Sequence, residues 1–191
     1  AGLSQVNGVQ VVAGTNLVGG SIKFTSPTGV DTRGDFGGSV AFPPPSYSYF
    51  SANLGYLGLN SLSNVTVGLG LTSPFGLNTR YPVDGPFNTV VTSAALPLLD
   101  IKPTIAYKFN DQLAIGVNAD IYTFASFLGQ GHAEQRQVGS GALAGASLEF
   151  KGNGKGAGAA FSLLYTPLRN SDGKPIASLG LVYRPQPALP V

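Results

Sequence analysis

Between residues 36 and 79 the chain carries no Asp, Glu, Lys or Arg. A solvated globular domain has about one charged residue in four, so a stretch this long sits poorly on a water-facing surface. The same stretch is not uniformly apolar. Val65, Val67, Leu69 and Leu71 alternate with Thr66, Gly68, Gly70 and Thr72, and period two places the two sets on opposite faces of a strand. What fits the stretch is a sheet with one apolar face and one uncharged polar face.

The rest of the chain extends that reading. Charged residues make up 10% of all 191, a length that suits one domain, residues 1–191. No run of roughly 18 or more apolar residues occurs, which excludes a transmembrane helix on length. Gly 27 and Pro 14 argue against long helices, because these are the two poorest helix formers. Cysteine is absent, which removes disulfides, thiolate chemistry and zinc knuckles. The net charge of +2 is dispersed, without a basic patch interleaved with aromatics, so nucleic acid is not an expected partner.

Alternation is clearest in residues 113–123, with Leu113, Ile115, Val117, Ala119 and Ile121 on one face and Ala114, Gly116, Asn118, Asp120 and Tyr122 on the other. In residues 99–109 it sets Leu99, Ile101, Ile105, Tyr107 and Phe109 against Asp100, Lys102, Thr104 and Lys108. Asn110-Asp111 between them reads as a two-residue hairpin turn, since both residues tolerate positive φ. Further strands are expected at 9–24, 46–53, 62–73, 143–165 as one long or bent strand, and 176–184. Short links near 54–60, 110–111 and 167–174 alternate with long ones near 25–38, 74–97 and 127–142. Seven strands in this arrangement describe an all-β, antiparallel up-and-down sheet.

Such a sheet can close as a soluble barrel with its polar face outward, or as a transmembrane β-barrel with its apolar face in lipid and a polar lumen. Low charge favours the membrane barrel. Strands of about 9–11 residues cross a bilayer when tilted, and none of the apolar faces above carries a lysine or arginine. Tyr107 and Phe109 stand beside a turn, where an aromatic girdle would lie. A soluble β protein is the competing reading at this point.

Several segments together resemble the FadL/TodX family of outer-membrane transporters for long-chain fatty acids and other hydrophobic compounds. They are "AGLSQVNGVQ" at the start, "VGLGLTSPFGLNTRY" at 67–81, "IKPTIAYKFNDQLAIGVNADIY" at 101–122, "LEFKGNGKGAGAAFSLLYTPL" at 148–168 and "GLVYRP" at 180–185. The resemblance implies the first half of a fourteen-strand barrel, seven strands of it, with the family's N-terminal hatch missing and additional barrel sequence needed to close the wall. It also implies a Gram-negative bacterial outer membrane, surrounding lipid, and passive uptake of a fatty acid or hydrocarbon. No enzyme activity, cofactor or metal is implied.

In the family the third strand kinks inward and opens the wall sideways. The counterpart here is Pro74, Phe75 and Gly76, where Pro74 lacks an N–H for the ladder and Gly76 permits unusual backbone angles. Lumen-lining candidates are Asp100, Lys102, Lys108, Asn118, Asp120 and Tyr122, whose polarity also fits lumen residues that simply pair with one another. Phe124, Phe127 and Leu128 are the candidates for substrate capture on an extracellular loop. A structural or adhesive barrel with a closed lumen is the alternative function.

Two other motifs carry less. "GNGKGAG" at 152–158 has Ala157 where a dinucleotide fingerprint needs its third glycine, and Gly156 where a P-loop needs Ser or Thr; its alternate glycines read instead as one face of a strand. His132, the single histidine, has no partner set for a triad or metal site and reads as a loop residue.

Overall fold

The computed structural model describes residues 1–17, 20–36, 46–75, 78–124 and 131–185. Its strands are β1 (Val9–Gly14), β2 (Ser21–Thr25), β3 (Asp31–Asp35), β4 (Tyr47–Asn53), β5 (Val65–Phe75), β6 (Asn78–Arg80), β7 (Ser93–Ala95), β8 (Leu98–Lys108), β9 (Leu113–Phe124), β10 (Ala133–Val138), β11 (Ser147–Gly152), β12 (Lys155–Arg169) and β13 (Pro175–Tyr183). They form a seven-stranded sheet, β1-β4-β5-β8-β9-β12-β13, and a six-stranded sheet, β11-β10-β7-β6-β3-β2.

The two sheets repeat one neighbour order. The pair β1-β4 is followed beyond its end by β2-β3, β4-β5 by β3-β6, β5-β8 by β6-β7, β8-β9 by β7-β10, and β9-β12 by β10-β11. All pairings are antiparallel. Six of the seven strands therefore run through the large sheet, are interrupted, and resume in the small one. Two of the interruptions are legible in residue chemistry. Leu96-Pro97 separates β7 from β8, and Pro97 has no N–H to give a ladder; Asn153-Gly154 separates β11 from β12.

This differs from the sequence expectation. The links 25–38, 74–97 and 127–142 contain β3, β6, β7 and β10, and the expected strands 9–24 and 143–165 are each two strands in different sheets. These short strands are polar, so their alternation has no apolar face to reveal it. For β2 and β3 the turn supplies the register instead: Gly29 has φ +82, Thr25 Oγ1 donates to Asp31 Oδ1 at 2.6 Å, and Lys23 pairs with Asp31 at 2.7 Å. The turn after β8 also differs. It spans residues 109–112, and no residue other than glycine has positive φ among the described residues. Asn110 acts through its side chain, whose Oδ1 accepts the N–H groups of Gln112 (2.8 Å) and Leu113 (2.9 Å), an Asx turn.

Burial in the seven-stranded sheet is inverted relative to a soluble protein. Asp100, Asp120 and Thr66 are each 1% exposed, whereas Ile105 is 52% and Leu181 65% exposed. The exposed set includes Leu69, Ile115, Val117, Ile121, Phe161, Leu163 and Leu179, the odd-numbered faces of β5, β9, β12 and β13. Tyr107 and Phe109 meet edge to face at 4.9 Å beside the Asn110 turn. Leu99 departs from the expected apolar face: it is 5% exposed, at the end of β8 where the sheet is about to break.

The six-stranded sheet is held by exposed ion pairs. Asp31 is kept below the ordinary carboxylate range by its hydrogen bond from Lys23 and then that from Thr25. Glu149 is kept below it by Lys151 and, less strongly, Arg136, at 3.1 and 3.0 Å. Because these folded-state values are depressed, their stabilisation is present above the ordinary values of 3.8 and 4.5 and is lost as pH falls through the lower folded values. Amide hydrogen-exchange protection in β2-β3 and β10-β11 is accordingly expected to drop on acidification below those values. Protection that stays level in both hairpins would contradict these assignments.

Candidate functional site

The inner, polar face of the large sheet is assembled by register. Asp100 on β8 stands opposite Thr72 on β5 and Tyr122 on β9; Tyr122 stands opposite Gly156 on β12, and Asp120 opposite Gly158. Lys102 reaches both acids, with its Nζ 2.7 Å from Asp100 Oδ2 and 3.7 Å from Asp120 Oδ1. Asn118 Nδ2 donates to Asp120 Oδ1 at 3.0 Å. From just beyond β13, Arg184 Nε approaches Asp120 Oδ2 at 3.3 Å, across the intervening β12. Asp100 Oδ1 and Asp120 Oδ2 are buried without a hydrogen-bond donor among the described residues. The cluster balances two carboxylates with two cations.

Beside it lies an apolar hollow of about 300 Å³. The short 3-10 turn Gly2–Gln5 rests on the inner face of β5, β8 and β9 and contributes Leu3, with Val6 following. Val12 and Tyr49 close the other side, Gly68 and Gly70 form the floor, and Lys102 and Thr104 stand at the margin. The glycines are there for space. A Cβ on Gly68 would sit 2.8 Å from Leu3 Cδ2, and one on Gly70 would sit 3.3 Å from the Tyr49 ring. A Cβ on Gly116 would overlap the nitrogen of Ala1, which donates to Ser162 Oγ at 2.6 Å. Missing side chains on β5 and β9 thus let the N-terminal segment lie against the wall.

At the end of β5 the ladder slips. Thr72 pairs with Asp100 and Phe75 with Leu98 on β8, so three steps on β5 match two on its neighbour. That is a bulge of one residue. On the other side, the described pairing of β5 with β4 ends at Thr72 opposite Tyr47 and at the Ser73 N–H donating to Ser46 O, 2.9 Å. Gly76 lies outside the described residues, and β6 begins at Asn78 in the six-stranded sheet.

Of the residues singled out in the sequence, the structure gathers Asp100, Lys102, Asn118 and Asp120, with Tyr122 adjoining. Lys108 is on the same face but at the turn, where it pairs with Asp111 at 2.7 Å, away from the cluster. Phe124 ends β9 and lines a separate hollow of about 350 Å³ with Thr123, Gly131, Asn153, Gly154 and Lys155; Phe127 and Leu128 lie outside the described residues. His132 approaches Glu134 at 3.2 Å, at the start of β10. Gly152 and Gly154 do not share a strand face with Gly156 and Gly158, because the chain breaks at Asn153-Gly154.

Sequence reasoning missed Arg184 and the hollow's Leu3, Val6, Val12 and Tyr49, which only strand register brings together. It also missed an aromatic cluster above the small sheet, where Phe87 packs on Phe24 at 4.9 Å and on Tyr81 at 5.0 Å. Aromatics at two of these positions fall in the 74–97 link, a signal that was present in the sequence.

No protein-family model matches the chain, and no curated protein does. Several solved structures share its fold. A FadL homologue of Pseudomonas aeruginosa aligns over 96% of this chain with a TM-score of 0.62 and 12% identity. The P. putida toluene transporter TodX aligns over 88% with a TM-score of 0.56 and 20% identity. The chain spans less than half of either, 45% and 46% respectively. It has the all-β architecture of a partial FadL-type barrel wall, and identities this low carry the fold alone.

Proposed function

We propose that the protein is an outer-membrane channel through which hydrophobic compounds, fatty acids or hydrocarbons, enter a Gram-negative cell by passive diffusion. The single observation that carries this reading is the inverted wall: apolar residues cover its outer face, while its inner face holds a buried charge cluster and an apolar hollow. Lipid is the environment that satisfies the outer face. The hollow is where an apolar molecule would leave water, gaining about 25 cal/mol per Å² of buried apolar area. No covalent chemistry is required, and the similar P. putida structure is named a toluene transporter.

Lateral exit at Pro74, Phe75 and Gly76 belongs to the same proposal. The bulge between Thr72 and Phe75 supports it, because the ladder is locally disrupted where the register of neighbouring backbones slips. Liposomes containing the full-length protein are expected to take up labelled toluene faster than empty vesicles. The paired substitution Pro74→Val with Gly76→Ala, which gives residue 74 an N–H and residue 76 a side chain, is expected to slow that uptake. Wild-type uptake no faster than in empty vesicles would overturn the channel; unchanged uptake by the variant would overturn the exit.

A further inference from the structure

We propose that Asp100 makes the inner hollow selective for uncharged hydrocarbons over carboxylates, by keeping Lys102 from serving as an anion receptor. The inference rests on the channel reading above and names the cargo class of that site.

Size comes first. A dry cavity of about 150 Å³ accepts benzene, so about 300 Å³ between Leu3, Val12, Tyr49 and the glycine floor suits a molecule of one or two rings. Charge decides the rest. The one charged group at the margin of the hollow, among its described lining residues, is Lys102, the obvious partner for an acidic cargo. Its ammonium is already turned to Asp100 at 2.7 Å and lies 3.7 Å from Asp120. The second cation, Arg184, faces the other oxygen of Asp120. Both aspartates are 1% exposed, so neither can turn to water when displaced.

An incoming carboxylate meets two unfavourable choices. Displacing Asp100 from Lys102 would leave a buried anion without its cation, which is strongly unfavourable. Entering without displacement would set a third carboxylate beside two others, whose cations Lys102 and Arg184 already face them. A neutral ring makes neither demand. The polar cluster therefore acts on cargo by exclusion, the repulsive half of specificity, while the apolar walls supply attraction to both kinds of molecule.

The test compares two molecules of one shape, naphthalene and 2-naphthoate, by equilibrium dialysis at neutral pH. The full-length protein is held in nanodiscs, with empty nanodiscs subtracted. Naphthoate is expected to bind at least about tenfold more weakly than naphthalene to the wild type. In Asp100→Asn, which leaves Lys102 with an excess charge, the naphthoate-to-naphthalene affinity ratio is expected to rise by at least about tenfold. Equal or tighter naphthoate binding by the wild type overturns the proposal while leaving the channel intact. A ratio unchanged in a folded Asp100→Asn removes Asp100 as the determinant. Binding of neither molecule overturns both this proposal and the channel reading. Should Asp100→Asn fail to fold, the charge-balanced double variant Asp100→Asn with Lys102→Met replaces it: a ratio equal to the wild type's is expected, because Asp100 already keeps Lys102 from the cargo, and a ratio about tenfold lower would show Lys102 receiving the carboxylate and overturn the proposal.

Discussion

Val117→Arg is expected to destabilise the membrane-inserted protein by about 2–4 kcal/mol, the penalty for a cation facing lipid near the bilayer midplane. Val117 lies in the middle of β9, opposite Ile105 on one neighbour and Phe161 on the other, and all three are exposed on the outer face. In water, an arginine at such a position would be free to extend and would cost almost nothing, because substitutions on an exposed surface usually stay within about 0.5 kcal/mol. The two environments therefore predict different outcomes for one substitution. Urea titration of protein folded into liposomes gives the number, and retention of heat-modifiable migration on a gel reports whether the barrel forms at all. Val117→Leu, which keeps the face apolar, is the expected neutral control.

A larger loss is expected for Lys102→Met, about 3–5 kcal/mol, the usual consequence of removing one member of a buried ion pair. The loss falls on Asp100. Its Oδ2 has Lys102 at 2.7 Å, and its Oδ1 has no donor among the described residues, so the substitution strands a carboxylate that is 1% exposed. Asp120 suffers less, since Arg184 and Asn118 remain beside it. The double variant Asp100→Asn with Lys102→Met should accordingly recover most of the lost stability. Measured by the same titration, a double variant as unstable as the single one would mean that Lys102 acts through its packing against the hollow and not through charge.

The parts of this fold legible in the sequence are those where burial sets a period of two. On β8 and β9 the alternation of Ile105 with Thr104, or Val117 with Asn118, separates the exposed apolar face from the more buried polar face along nearly the whole span. It also placed Asp100, Lys102 and Asp120 together, because adjacent strands joined by a short turn have little freedom of register. Residues brought together across several strands were not legible. Arg184 reaches Asp120 over an intervening strand, and Tyr49 meets Leu3 across the floor made by Gly68 and Gly70, through pairings that no local pattern encodes. The polar strands Asp31–Asp35 and Ala133–Val138 fall in segments whose sequence reads as loop, since a strand with no buried apolar face leaves no periodic trace. At Asn110 the residue type announced a turn, and the geometry followed from its side-chain acceptor and not from its backbone.

The account depends most on which way the apolar face points. The chain has no cysteine, so a single cysteine can be introduced and spin-labelled without background. Labels at Ile105 and Val117, compared with labels at Thr104 and Asn118, report whether each site meets lipid-soluble oxygen or a water-soluble nickel chelate. In protein reconstituted into a bilayer, the account predicts high oxygen and low nickel accessibility at Ile105 and Val117, and low oxygen accessibility at Thr104 and Asn118. High nickel accessibility at Ile105 and Val117 would place the apolar face in water and contradict a membrane wall.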